Sequence, residues 1–132
     1  GYGGGDPRIE LAQLEMALRR IGRLIAGISL HTGAMTLDDA ARMFEERCFM
    51  APVNATREAR RGTSDPGYLV YTLGKWRILQ IRDEARQMLG SAFRLREFHD
   101  VFLRQGGVPL ALAREGVLLE LGRRHRAAGG DR

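Results

Sequence analysis

Leu11, Leu14, Leu18, Ile21, Ile25 and Ile28 recur at alternating steps of three and four, which sets them on one face of a helix. Asp6-Pro7 marks its start, because an Asp cap followed by proline at the first helical position fits the unpaired N–H groups there. Thr32-Gly33 ends it after about His31, and Gly22 and Gly27 either weaken its second half or admit a close neighbour. The stripe suits a coiled-coil seam or a bundle core; the short chain and the helices that follow favour the bundle. Thr36 with Leu37-Asp38-Asp39 forms a capping-box-like start. Ala40, Phe44 and Cys48 then give a second amphipathic helix to about residue 49. Ala51-Pro52 breaks it, and residues 53–61 read as a short polar helix ending at Gly62.

The segment from Asp65 to Gly90 has both ends marked, by Asp-Pro at the start and by a glycine suited to a left-handed cap at the end. Leu69, Val70, Leu73 and Trp76 cover more than one face, which predicts a central helix with neighbours on several sides. Ile78, Ile81, Ala85 and Met88 then narrow to one stripe. Phe98, Val101 and Phe102 mark the inward face of a further short helix, Gly106-Gly107 a turn, and Val108-Pro109 the start of a last helix through about Leu121. No stretch alternates with period two. The expected fold is all-α, a compact bundle of five to six helices with a long central helix near residues 66–89. The expected organisation is a flexible glycine-rich start (1–5), one helical domain (6–121) and a disordered basic tail (122–132).

At 132 residues, 44% hydrophobic and 28% charged, the chain has the size and balance of one soluble domain. No apolar run approaches the roughly 20 residues of a membrane span. The start has neither the basic nor the apolar region of a signal peptide, which points to the cytoplasm, and without Met it reads as the edge of a larger protein. Cys48 is the only cysteine; it has no nearby histidine and reads as a small core residue. The net charge of +5 comes from arginines scattered along the chain and mixed with acids, so nucleic-acid binding ranks last among the functions considered.

Known zinc-binding, nucleophile-elbow and phosphate-loop motifs are absent. His31, His99 and His125 are far apart; His125 reads as solvated, the other two as structural. Tyr68 and Tyr71, three residues apart, fall on roughly one face of a helix. They are either amphipathic packing residues or phenol donors aimed into a cleft at a carboxylate or oxyanion, and spacing alone favours packing.

Longer motifs resemble the C-terminal part of the bacterial family called domain of unknown function 885. They are Tyr71, Gly74 and Lys75; Ile81 and Arg82; Gly90, Phe93, Leu95, Phe98, His99 and Asp100; and Gly107, Pro109 and Leu110. Upstream, the Leu30-His31 block, the capped helix after it, and Glu58 with Arg61 resemble the family's pattern as well. The resemblance implies a helical protein like the gluzincin zinc metallopeptidases, with the zinc ligands and general base upstream of this region. This chain would then hold no cofactor itself, zinc being implied for the full-length parent, and its partner would be the parent's N-terminal zinc-binding half. Pro66-x-Tyr68-x-x-Tyr71 is similar to a segment of angiotensin-converting-enzyme-like dipeptidases. That similarity implies a role for Tyr68 in holding a peptide-like substrate's carboxylate and for Tyr71 in stabilising the oxyanion. His31 and Lys75 would be further cleft residues, whereas Glu58, Arg61, Arg82, His99 and Asp100 carry the family pattern.

The chain departs from that pattern twice. Gly27 stands where the family often has the Asp of Asp-x-Gly-Leu-His, which removes an acid that would orient His31, and Arg94 stands where Asp or Ser would cap the Phe98-His99-Asp100 helix. Two functions therefore stay open: the C-terminal helical part of a zinc-dependent peptidase, inactive alone, or a non-catalytic helical interaction module that forms a homodimer.

Overall fold

The computed structural model describes residues 4–129. Six α-helices and two short 3-10 turns account for the regular structure, and no strand occurs among the described residues. The fold is all-α. The chain divides into two compact units, Gly1–Leu73 and Gly74–Arg132.

In the first unit α1 runs Pro7–His31, with the Asp6 carboxylate accepting from the Arg8 N–H at 2.9 Å. Its buried residues are Gly22, Ala26 and Gly27. The large apolar stripe, half-buried Leu18 apart, is instead open to solvent, from 41% exposure at Ile25 to 62% at Leu14. The small-residue face wins because it lets backbones approach closely. A Cβ on Gly22 would stand 2.6 Å from the Cys48 Sγ and 2.9 Å from Phe44, closer than atoms pack.

Helix α2, Leu37–Cys48, starts on a reciprocal cap. The Asp39 N–H donates to Thr36 Oγ1 at 3.2 Å, and the Thr36 N–H donates back to the Asp39 carboxylate at 3.1 Å. Helix α3, Pro52–Gly62, reads as polar but buries an alanine stripe, Ala55 and Ala59, with Gly62 below it. Ala26, Ala40, Met43, Phe44, Ala55, Ala59 and Tyr68 form this unit's core, with Cys48 half-buried beside it. Burial pushes the Cys48 thiol pKa up, as suits an unreactive packing residue.

The helix expected from Pro66 opens instead as a 3-10 turn, Pro66–Leu69, capped by Asp65, whose carboxylate accepts from the Gly67 N–H at 3.0 Å. Helix α4, Val70–Leu89, follows. Its first half is not central: Val70, Tyr71, Leu73 and Trp76 are all exposed. The division of the chain falls inside this segment, between Leu73 and Gly74, and neither core includes these side chains.

The second unit buries Ile81, Ala85 and Leu89 of α4, Phe98 and Val101 of α5 (Leu95–Arg104), and Val117 and Leu121 of α6 (Leu110–Gly129). Gly90 takes the left-handed φ of 52° expected after α4. Arg94 gives α5 no side-chain cap. The tail expected to be disordered from residue 122 is helical to Gly129. Leu121 is buried at its head, and the Glu120 carboxylate accepts from Arg123 at 3.0 Å and Arg124 at 2.7 Å, which are helix-spaced pairs. Those two partners hold the Glu120 carboxyl down at about 2. Residues 1–3 of the expected flexible start and 130–132 of the expected tail lie outside the described residues.

Candidate functional site

The most tightly connected polar group in the first unit joins α1, α3 and the turn before α4. Arg23 on α1 donates from Nε and Nη2 to both oxygens of Glu58 on α3, at 2.7 and 2.8 Å. This is the two-pronged geometry that a planar guanidinium and a carboxylate allow. Both side chains are largely covered, at 15% and 16% exposure. The Tyr68 hydroxyl completes the group, lying 2.6 Å from the Glu58 carbonyl oxygen and 2.7 Å from its Oε2. A phenol has a single proton to donate, so these two acceptors share it.

The electrostatics follow from this geometry. The Arg23 hydrogen bonds hold the Glu58 carboxyl below its usual range, and burial opposes them. Burial and then the Glu58 carboxylate push the Tyr68 phenol well above its ordinary value, so it stays protonated as a donor. Arg23 and Arg61 also stand 5.5 and 5.9 Å from the Tyr68 ring centroid, within cation–π range. Arg61 is fixed by Asp65, to which Nη2 donates at 3.1 Å. Glu58, Arg61 and Tyr68, singled out by separate motifs, therefore meet at one place. Arg23 had not been singled out. Its signal was available in the sequence, as a lone arginine within the Gly22–Ala26–Gly27 face of a helix.

Tyr68 and Tyr71 sit in different environments, Tyr68 3% exposed and Tyr71 58% exposed. Around Tyr71, Thr72 Oγ1 donates to the Arg20 carbonyl at 3.0 Å, tying the start of α4 to α1, and the Arg20 guanidinium carbon stands 5.7 Å from the Tyr71 ring centroid. A solvent-open phenol next to an exposed guanidinium can donate to, and electrostatically favour, an anionic oxygen.

The other candidates lie apart. His31 is exposed at the end of α1, its Nδ1 donating to the Gly27 carbonyl at 2.8 Å, which leaves Nε2 free. Lys75 is exposed on α4. In the second unit Arg82 pairs with its neighbour Asp83 at 3.2 Å, and His99 and Asp100 are exposed on α5, with the His99 ring 5.8 Å from that of buried Phe98. Among the described residues no three His, Cys, Asp or Glu side chains converge as metal donors. No helix is long and apolar enough to cross a membrane among them.

No curated protein and no solved structure shows significant similarity to the chain. A family model does match, over residues 1–117, which takes in both the Arg23–Glu58–Tyr68 group and the Phe98-His99-Asp100 helix. The chain belongs to the family described as "Bacterial protein of unknown function (DUF885)".

Proposed function

We propose that the chain is the C-terminal helical part of a zinc-dependent peptide hydrolase, in which it supplies a cleft wall and an oxyanion donor while the metal donors lie elsewhere in the parent polypeptide. The observation that carries this reading is the division of labour between the two tyrosines. Tyr68 is held against Glu58 and fixes the turn, whereas Tyr71 keeps its hydroxyl open next to Arg20. In this reading Tyr71 donates to the developing oxyanion. Arg20 attracts the substrate carboxylate, a role the motif would give to Tyr68, whose hydroxyl already has partners inside the protein. His31, exposed at the end of α1, is the further candidate for contacting substrate in this reading, and Lys75 is exposed on α4.

The test is made on the native gene product that carries this chain. It should bind zinc and hydrolyse peptides, and the isolated 132 residues should do neither. Tyr71→Phe should lower kcat by about 100- to 1,000-fold, the usual effect of removing one oxyanion donor, with no loss of thermal stability. Tyr68→Phe should chiefly lower thermal stability. Full activity in Tyr71→Phe, or a native product that binds no zinc, would sink the reading.

A second reading is favoured by one specific observation, the solvent-open apolar stripe of α1. Here the chain is a non-catalytic helical module whose function is association.

A further inference from the structure

The stripe of α1 has the register of a coiled-coil seam. Leu11, Leu18 and Ile25 repeat every seven residues, as do Leu14, Ile21 and Ile28, and the two sets interleave as the a and d positions of a heptad. All of these but half-buried Leu18 are exposed, whereas Gly22, Ala26 and Gly27 pack on the unit's own core, Gly22 at an e position that borders the seam. From Pro7 to Met16 every residue of α1 is exposed, so the first turns have no cover on any side. Phe49 and Met50 extend this apolar surface sideways, lining with Leu11, Leu14 and Leu18 a cleft of about 440 Å³.

We propose that α1 pairs along this seam with α1 of a second copy, running antiparallel. The seam is self-complementary in that sense, its first half being all leucine and its second half all isoleucine. Antiparallel pairing about the midpoint opposes Leu11 to Ile28, Leu14 to Ile25 and Leu18 to Ile21, so the uncovered first turns of each copy rest on the second half of the other's α1.

Charge selects the direction. The residues flanking the seam include Glu10 at a g position and Glu15 at an e position. In a parallel pair g faces the e position five residues on, so Glu10 would oppose Glu15 twice, once on each side. Antiparallel pairing removes both repulsions. It brings Glu10 towards His31 of the other copy and aligns the two helix dipoles head to tail.

The area is sufficient. Covering the five seam side chains that are about half open, with half-buried Leu18 and their flanks, places roughly 600 Å² per copy in the contact, or about 1,200 Å² in all, where specific interfaces begin.

The proposal rests on the association reading above and commits it to one partner and one geometry. The test is the mass of the purified chain over a concentration series, with a spin-label distance at position 8 (Arg8→Cys in a Cys48→Ala background). The expected result is a shift from 14.7 kDa towards twice that mass, with labels about 35 Å apart from 1.5 Å of rise per residue. Ile21→Lys should keep the helical signal and remain monomeric; if it fails to fold, Leu14→Glu, at a still more open position, should give the same result. A dimer with labels about 10 Å apart, the spacing of neighbouring helices, would overturn the antiparallel geometry and leave the association reading standing. A monomer at every concentration would overturn both, and a dimer unaffected by either substitution would overturn the seam.

Discussion

Glu58 is the residue on which the first unit's polar chemistry depends, since it accepts from both Arg23 and Tyr68. Glu58→Gln leaves Arg23 without its counter-charge in a mostly covered setting, which should cost about 2–3 kcal/mol, somewhat below the range for fully buried pairs. The pH dependence has a definite sign. The folded-state pKa of Glu58 is depressed below 4.5, so its contribution to stability is fully present above the unfolded value and is lost as pH falls through the folded one. Denaturant melts from pH 7 down to 3 should show a loss of stability beginning near pH 4.5 in the wild type that is smaller in Glu58→Gln. Equal losses in the two proteins would show that Glu58 is not responsible. The motif pairing Glu58 with Arg61 was legible in the sequence, but its physical partner, Arg23, lies 35 residues earlier. Only the packing of α1 on α3 brings the two together.

Among the elements, the contrast between two helical glycines separates propensity from packing. Gly22 lies where α1 meets α2, and a methyl group there would collide with Cys48 and Phe44. Gly74 lies in α4 with nothing within 4 Å of where its Cβ would be. Gly22→Ala should therefore destabilise by about 1–3 kcal/mol through overpacking, despite the better helix former. Gly74→Ala should stabilise by about 0.5–1 kcal/mol through propensity alone. Thermal melts of the two variants would check this, and a stabilising Gly22→Ala would contradict the close approach of α1 and α2. Helix existence was legible almost throughout, because capping residues act locally: Asp6, Thr36 and Asp65 each cap as their sequence context indicates. The 3-10 turn at Pro66–Leu69 was not legible, nor was the difference between buried Tyr68 and exposed Tyr71.

At the scale of the whole molecule, each unit holds its own core, one around Phe44 and one around Phe98. Phe98 is 1% exposed, and Phe98→Ala should cost the second unit about 3–5 kcal/mol. Amide exchange should register this as faster exchange over residues 81–121, and unchanged protection there would count against a shared core of α4, α5 and α6. By itself the sequence determined the all-α class, the order and approximate ends of the helices, and the family motifs. These depend on caps, periodicity and glycine or proline signals that act within a few residues. Tertiary structure decided which face of α1 is buried, because periodicity shows that a helix has an apolar face but not whether bulk or close approach will prevail. It likewise decided that Tyr68 is a held structural donor and Tyr71 an open one, since burial is set by contacts between residues far apart in the chain.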